Sequence, residues 1–274
     1  MIETSDQTPS PSPTPGRRPV DRRSVVRLQV SMALFLVIVL VACYELFEHR
    51  TSRHIGASPA VVVTGLSESR PLPDVTLTNE AGRPTSLAAL RGKVVVLAPF
   101  ATLCGLSCAA TTSAFSAIET ELHSTGVSDK VALVELSVDP GHDSPARLAS
   151  FARQAGPGVE LLTGTPAQVG ALWHALGQYY QSGPPSAALP RDWLTNTAAS
   201  YGVSYANAVY FIGPDGKLRI SDFAPATASL DTAMRQLLSM EGASQTVPPS
   251  RGWTVSQAIG NIEVVLNRRI PLPK

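Results

Sequence analysis

The chain has 274 residues, of which 16% are charged, and its formal net charge is +1. This length allows one sizeable domain with extensions, and the near-neutral charge argues against nucleic acid as the main partner. Three cysteines are too few for a disulfide scaffold. A closely spaced pair and a separate Cys43 fit a redox or metal site better.

The N-terminal 27 residues lack any apolar period. Five prolines alternate with serine, threonine and glutamine, and five arginines follow between positions 17 and 27. A segment of this composition cannot bury enough apolar surface to fold alone. Residues 1–27 are therefore predicted to form a disordered cytoplasmic tail.

An apolar stretch, Leu28 to Phe47, follows this tail and has the roughly 20 residues that a transmembrane helix needs. Arginines dominate its N-terminal side, so the positive-inside rule predicts a cytoplasmic N-terminus and an extracytoplasmic remainder. A second interpretation stays open, because Leu40-Val41-Ala42-Cys43 resembles the end of a bacterial lipoprotein signal, in which Cys43 would be lipidated. Under both interpretations the folded part is tethered to the outer face of a membrane.

The folded part is predicted to begin after a linker, residues 48–70. A short strand is expected over 75–78, and a turn over 79–82 leads into a small hairpin. The unbroken apolar run from Val94 to Ala98 is typical of a strand that is buried on both faces. A helix is predicted over 108–124.

Further strands and helices alternate along the rest of the chain. Strands are predicted over 131–138, 159–162, 205–212 and 218–222, and helices over 146–154, 165–176 and 227–240. Residues 177–200 have no regular pattern, and a loop of this length is usually functional or mobile. Residues 243–274 are assigned to a C-terminal extension that could carry one more helix. The alternation predicts a mixed α/β sheet with helices on both faces.

Two cysteines, Cys104 and Cys108, lie where the buried strand gives way to helix. If this turn is helical, positions i and i+4 share a face with Cα atoms about 6 Å apart, which is within disulfide range. The pair could therefore form a disulfide or bind one soft ion such as Cu(I). Zinc normally needs four ligands, and the sequence has no second cysteine pair. Two buried structural cysteines are the alternative.

The cysteine turn and the loop Asp139 to Asp143 both follow predicted parallel strands. Functional loops gather at the carboxyl ends of such strands, so both loops are expected on the same side of the sheet. Ser144 is predicted to cap the next helix, and Pro145 is predicted to be its first residue.

Three motifs occur in a fixed order along the chain. They are Gly92-Lys-Val-Val-Val with Phe100-Ala-Thr-Leu-Cys104-Gly-Leu-Ser-Cys108, then Ser137-Val-Asp-Pro-x-x-Asp-Ser-Pro145, then Tyr210-Phe-Ile-Gly-Pro-Asp-Gly216. Together they resemble the Sco/SenC family over about residues 70 to 240. The resemblance implies a membrane-anchored, thioredoxin-like domain, assigned to residues 71–242. It also implies that Cys104 and Cys108, with a distant histidine, hold copper for the assembly of cytochrome c oxidase.

The sequence departs from the family pattern at this histidine. The family's histidine lies five residues before the tyrosine that matches Tyr210, so its position falls on Tyr205. Two thiolates without an imidazole should hold copper less well, and Cu(II) especially poorly. His142 is a substitute candidate, because its loop should open on the cysteine side, although a solvated loop histidine would give the same pattern. Asp139 and Asp143 are interpreted as turn and cap residues.

Four functions compete for this sequence. The first is a Sco-like accessory protein that delivers copper to, or reduces the cysteines of, a target such as a cytochrome c oxidase subunit. The second is an extracytoplasmic thiol–disulfide oxidoreductase, which needs only the cysteine pair. The third is a peroxidase, since Pro99 to Cys104 faintly resembles the peroxiredoxin pattern, although its threonine lies one residue too near the cysteine. The fourth is a redox-inert binding domain. The first is favoured, with copper donation and thiol reduction both open.

Overall fold

The computed structural model describes Met32 and residues 65–103, 105–185, 191–245, 252–268 and 270. The predicted tail 1–27, the predicted span 28–47 apart from Met32, and Cys104 lie outside these residues. In the described part of the chain, no helix combines the length and the apolar character needed to cross a membrane. All the elements below belong to the unit Ala60–Lys274.

A mixed β-sheet forms the centre of the fold. In chain order, the described strands are β1 (Leu66–Pro71), β2 (Leu77–Asn79), β3 (Pro84–Thr85), β4 (Val94–Phe100), β5 (Val131–Ser137), β6 (Val159–Thr163), β7 (Tyr180–Gly183), β8 (Gly202–Tyr205), β9 (Val209–Ile212) and β10 (Lys217–Asp222). Eight of them form one sheet in the order β1-β10-β9-β4-β5-β6-β2-β3, and β7 pairs with β8 separately. β4, β5 and β6 are parallel, and their outer neighbours β9 and β2 are antiparallel.

Helices cover both faces of this sheet, as predicted. They are α1 (Leu106–Ser124), α2 (Pro145–Ala155), α3 (Pro166–Leu176), α4 (Thr232–Glu241) and α5 (Val255–Leu266). α3 packs on one face, and the other four helices supply buried side chains to the cluster on the opposite face. Alternate residues of β4 point to the two clusters, Val94 and Val96 to one, Val95 and Leu97 to the other. The thioredoxin-like α/β fold class is therefore confirmed.

Capping residues decide where the helices start. α2 begins as predicted at Pro145, where the Ser144 hydroxyl accepts a hydrogen bond from the backbone N–H of Arg147. α4 begins at Thr232, later than the predicted residue 227, because the carboxylate of Asp231 caps it. Apolar periodicity alone misplaces such a boundary, since it carries no information on the capping bond.

The helix that carries Cys108 begins two residues earlier than predicted, at Leu106. Gly105 precedes it with a φ of +71°, a backbone conformation that glycine adopts without strain. This turn redirects the chain from β4 into α1. Cys108 therefore lies in the first turn of the helix.

The predicted single strand 205–212 is wrong. β8 ends at Tyr205 and pairs with β7, whereas β9 begins at Val209 and pairs with β4. The break lies at Ala206, whose backbone bonds to the segment before β7. The N–H of Ala206 donates to the carbonyl of Tyr179, and the carbonyl of Ala206 accepts from the side chain of Gln178. Part of the segment 177–200, predicted to be irregular, is therefore strand β7.

Two segments assigned outside the folded domain contribute secondary structure to it. Residues 66–70 of the predicted linker form most of β1, which pairs antiparallel with β10. Residues 255–266 of the predicted C-terminal extension form α5, and its Ile259 and Ile262 are buried in the same cluster as the residues of α1. The apolar period of α5 was visible in the sequence, but its packing partner was not.

The packing of α5 can be tested by a pair of substitutions on that helix. Ile262 is fully buried, whereas Val264 is 44% exposed. Ile262→Ala should lower the free energy of unfolding by about 2–5 kcal/mol, because it removes a buried side chain and leaves a cavity. Val264→Ala should change it by less than about 1 kcal/mol. Urea unfolding followed by tryptophan fluorescence measures both, and equally small effects would contradict a core position for α5.

Candidate functional site

The cysteine loop and the Asp139–Asp143 loop lie together at one edge of the sheet, as predicted. They leave the adjacent parallel strands β4 and β5. The backbone N–H of Thr102 donates to Asp143 Oδ1 at 3.2 Å, and its hydroxyl donates to the same oxygen at 2.5 Å. Thr102 stands two residues before Cys104 in the sequence, so these bonds join the two loops beside the cysteine turn.

Asp143 is a buried link between loops, and the cap interpretation of this residue is wrong because Ser144 caps α2. Its other oxygen accepts a hydrogen bond from Ser137 Oγ at 2.6 Å. Burial raises the pKa of Asp143 to about 6, although the hydrogen bonds from Ser137 and Thr102 lower it. Asp139 does form the predicted turn, since its carbonyl accepts hydrogen bonds from the backbone N–H groups of His142 and Asp143.

A third segment, the Trp193 loop (residues 191–197), reaches the same threonine. The indole N–H of Trp193 donates to the carbonyl of Thr102 at 2.6 Å. Arg147 of α2 lies 5.6 Å from the centre of the Trp193 ring and donates to the carboxylate of Asp192 at 2.9 Å and to the Thr102 hydroxyl. The sequence predicts only an irregular segment here, because no local pattern reveals this long-range contact.

Cys108 is buried, with 3% of its surface exposed, in the first turn of α1. It is disulfide-bonded, and its partner cysteine lies outside the described residues. Its Sγ lies 2.8 Å from the Tyr205 hydroxyl and 3.5 Å from the backbone N of Ala101. A disulfide sulfur carries no hydrogen, so the hydroxyl is the donor. A hydroxyl donor and a helix N-terminus both favour a thiolate once the disulfide opens.

Tyr205 stands at the position that the family pattern assigns to histidine, and its side chain does reach the site. Its hydroxyl also lies 3.4 Å from the Ser107 hydroxyl. Burial raises the pKa of Tyr205 above its usual value of 10, the bond to Ser107 lowers it, and the carboxyls of Glu135 and Asp143 raise it further. The phenol therefore stays neutral near pH 7. A neutral phenol donates a hydrogen bond to sulfur well, and is a poor ligand for Cu(I).

His142 lies on the predicted loop, and its ring contacts Asp139 and Tyr201. Its Nδ1 is 2.8 Å from Asp139 Oδ1, and the ring stacks on Tyr201 with centroids 3.8 Å apart. Its side chain is 53% exposed. No group of three or more histidine, cysteine or acidic residues is placed to hold a metal ion within the ranges that the structure describes. A copper-binding role for His142 stays a prediction.

Glu135 is a second buried carboxyl on the cysteine side of the sheet. It lies in the middle of β5, is fully buried, and accepts hydrogen bonds from Thr112 Oγ1 at 2.8 and 3.1 Å. Burial raises the pKa of Glu135 to about 8, although the bond from Thr112 lowers it. The signal in the sequence was an acidic residue inside the otherwise apolar run Val131 to Leu136, which favours a buried carboxyl with a special role.

Comparison with known proteins identifies the family. Residues 67–240 match the family model described as SCO1/SenC. The chain belongs to the SCO1/SenC family. A protein of Stutzerimonas stutzeri, whose name describes it as a candidate copper-binding protein, is 28% identical over 177 residues, which cover 64% of this chain and 81% of that protein.

Solved structures of Sco proteins match a similar share of the chain. Copper-bound Sco1 of yeast is 18% identical with a TM-score of 0.48, covering 66% of this chain and 92% of that one. Copper-bound ScoI of Bradyrhizobium japonicum is 24% identical with a TM-score of 0.46, covering 61% and 97%. BsSco, described as having a disulfide switch, is 19% identical with a TM-score of 0.44, covering 66% and 98%. Membership of the SCO1/SenC family rests on the sequence match over residues 67–240.

Asp143→Asn should remove a pH-dependent part of the stability. Because burial raises the pKa of the folded group from 3.8 to about 6, the stability that the protonated carboxyl contributes at low pH is lost as the pH rises through this window. At 1.36 kcal/mol per pKa unit, the wild type should lose up to about 3 kcal/mol relative to the variant.

The measurement for Asp143 is urea unfolding of wild type and variant at several pH values between about 3.5 and 8, a span that brackets both pKa values. The free energy of unfolding of the wild type should fall relative to that of the variant as the pH rises to about 6, and the difference should then level off. A difference that is the same at every pH would contradict a buried, ionising Asp143.

Proposed function

We propose that this chain is a Sco-type accessory protein that uses Cys104 and Cys108 for thiol–disulfide exchange, Cu(I) transfer or both, in the assembly of cytochrome c oxidase. Membership of the SCO1/SenC family supports the assignment. BsSco is described as a member of the Sco family of cytochrome c oxidase assembly proteins, which supports an oxidase subunit as the partner. The observation that carries the proposal is the 2.8 Å contact between the buried sulfur of Cys108 and the Tyr205 hydroxyl.

Thiol–disulfide exchange starts from a disulfide between Cys104 and Cys108. The thiolate of an external dithiol attacks the sulfur of Cys104, the S–S bond breaks, and Cys108 leaves as a thiolate with the electron pair of that bond. The second thiol of the donor then attacks the mixed disulfide, and its proton passes to Cys104 as that sulfur leaves. The donor becomes a disulfide, and the pair, now one thiolate and one thiol, gains two electrons. Cys108 suits the leaving role, because it is buried and its sulfur accepts hydrogen bonds from Tyr205 and Ala101.

Copper transfer would use the same two sulfurs after reduction. Two thiolates suit Cu(I) as a soft substrate ion. The neutral phenol of Tyr205 supplies no third ligand, so that ligand has to come from the target protein or from another residue of this chain, with His142 as the candidate. The residues around Cys108 therefore favour thiol exchange over stable copper binding. This observation supports, as a second candidate, a general thiol–disulfide oxidoreductase that handles no copper.

The folded domain is proposed to lie on the extracytoplasmic side of a membrane with the N-terminus in the cytoplasm. The arginines between positions 17 and 27 precede the apolar stretch Leu28 to Phe47, and this charge distribution supports the orientation. A disulfide at Cys108 fits the same compartment, because disulfides persist in oxidising surroundings. The anchor is either a transmembrane helix or a lipid on Cys43.

A Cu(I) titration tests the copper branch of the proposal. The reduced protein should bind one Cu(I) per chain, and Cys104→Ala and Cys108→Ala should each weaken binding by about 100-fold or more, because each removes one of two thiolates. His142→Ala tests the candidate third ligand, and an unchanged affinity would exclude it. Competition with a chromogenic Cu(I) chelator under anaerobic conditions measures all four proteins. Binding that is independent of the cysteines would rule out the copper role, and weaker binding in His142→Ala would make His142 a ligand.

Two substitutions at Tyr205 separate thiol exchange from copper binding. Tyr205→His should increase the affinity for Cu(II) by about tenfold or more, because imidazole suits copper and phenol does not. Tyr205→Phe should leave copper affinity unchanged but slow reduction of the disulfide by about tenfold, because the leaving thiolate loses a hydrogen bond from a hydroxyl. Visible absorption and stopped-flow kinetics give the two readouts. A Tyr205→Phe variant that is reduced as fast as the wild type would remove the main argument for thiol exchange.

A further inference from the structure

We infer that the buried carboxyl of Glu135 is a proton-holding group that tunes the reduction of the Cys108 disulfide. The inference rests on the thiol exchange proposed above and adds a residue that no family motif in this chain contains. Glu135 acts on the sulfur through its neighbours, so it is a positioning residue. Three observations carry the inference: the bond to Glu135 from Thr112 of the cysteine helix, the electrostatic effect of Glu135 on Tyr205, and the absence of a cation from its described surroundings.

The first connection runs along α1. Thr112 follows Cys108 by four positions, so the two side chains lie on the same helix face, one turn apart. Both residues are buried. The Thr112 hydroxyl donates to both carboxylate oxygens of Glu135, at 2.8 and 3.1 Å. The carboxyl therefore lies against the helix face that carries the sulfur, about one turn away from it.

The second connection runs through Tyr205 of β8. Its hydroxyl donates to Cys108 Sγ at 2.8 Å, and the carboxyl of Glu135 is near enough to raise the pKa of this phenol. A charge on Glu135 therefore acts on the Tyr205 hydroxyl, which donates to the sulfur. Since charges interact strongly in a buried site of low dielectric constant, the protonation of Glu135 and the charge on Cys108 should be coupled.

The surroundings of Glu135 keep its proton in place near pH 7. Its strand neighbours are Ala98 on β4 and Leu161 on β6. Burial and the Thr112 bond set its raised pKa of about 8, with no contribution from a cation in the described part of the chain. The titratable groups toward the site are Cys108 on α1, Tyr205 on β8 and, beyond the tyrosine, Asp143 on the loop after β5.

Two other charged groups, Arg147 and Glu241, lie on helices that cover this face of the sheet. Arg147 of α2 binds Asp192 and Thr102. Glu241 of α4 is a second buried carboxyl, and burial raises its pKa to about 8, with electrostatic contributions from Asp192 and Arg147. Glu241 has the same burial and a similar pKa, but no described bond links it to Cys108 or Tyr205. It therefore serves as a matched control.

Reduction of the disulfide changes the charge beside Glu135. The two electrons come from an external dithiol, which becomes a disulfide, and the broken S–S bond leaves Cys108 as a thiolate. While Glu135 keeps its proton, the site holds one negative charge. Once Glu135 ionises, a thiolate on Cys108 would face a carboxylate, so the reduced state is disfavoured unless the sulfur takes a proton from solvent. The disulfide should therefore become harder to reduce as the pH rises through the pKa of Glu135.

The decisive experiment compares wild type, Glu135→Gln and Glu241→Gln at equilibrium with a dithiothreitol couple, across the pH range around 8. Glutamine keeps the acceptor for the Thr112 hydroxyl but cannot ionise. Near pH 6 the disulfides of wild type and Glu135→Gln should be reduced to the same extent within about threefold. Near pH 9.5 the Glu135→Gln disulfide should be about tenfold easier to reduce, which corresponds to a coupling of one pKa unit. Glu241→Gln should follow the wild type at every pH.

A ratio between Glu135→Gln and wild type that does not change with pH would overturn the inference while leaving thiol exchange intact. A wild-type disulfide that cannot be reduced reversibly would overturn both. Thr112→Val gives an independent arm, because the Thr112 bond lowers the pKa of Glu135. Its loss should move the pH dependence to higher pH. An unmoved profile in a folded Thr112→Val protein would count against the connection through α1.

Infrared difference spectroscopy supplies a readout that a purely structural role would not move. At pH 7 the carbonyl band of a protonated carboxylic acid should be present in wild type, diminished in Glu135→Gln, and shifted when the disulfide is reduced. The part of the band that Glu241→Gln removes should not respond to reduction. A Glu135 band that is identical in the oxidised and reduced proteins would contradict the coupling.

Discussion

Every polar group of Thr102 is bonded to a distant part of the chain, and the position of the cysteine turn depends on these bonds. Its N–H and hydroxyl donate to Asp143, its hydroxyl accepts from Arg147, and its carbonyl accepts from the indole of Trp193. The threonine lies two residues after β4 and two residues before Cys104. Two segments that are distant in sequence, residues 143–147 and the Trp193 loop, therefore fix the backbone before the cysteine pair. Loss of one partner would leave a buried polar group unpaired.

The chemistry of the site follows from what surrounds the sulfur of Cys108. Hydrogen-bond donors face it, the hydroxyl of Tyr205 and the backbone N–H of Ala101. Hydrogen-bond donors stabilise a leaving thiolate. A third copper ligand would instead need a lone pair directed at the metal. Burial raises the pKa of the Tyr205 phenol, with smaller contributions from the carboxyls of Glu135 and Asp143, and keeps the phenol a donor. Under the proposed function, this arrangement supports thiol–disulfide exchange and makes any copper transfer dependent on a ligand from elsewhere.

Local sequence signals predicted the elements whose environment is uniform along their length. The run Val94 to Ala98 predicted a strand buried on both faces, and the predicted cap Ser144 marked a helix start that the structure confirms. The strand predicted over 205–212 failed because its two halves join different sheets. β1 was missed because the residues of this edge strand are mostly exposed, so they show no apolar pattern.

The sequence by itself determined the strand-to-helix turn with two cysteines four positions apart and the absence of histidine at position 205, because spacing and residue type are properties of the chain alone. Only the tertiary structure decided that Tyr205, 97 positions from Cys108, donates to its sulfur. It also decided that Glu135 and Asp143 are buried near that contact. Such facts depend on strand order and on exclusion of water, which set hydrogen-bond partners and pKa values and which no short pattern encodes.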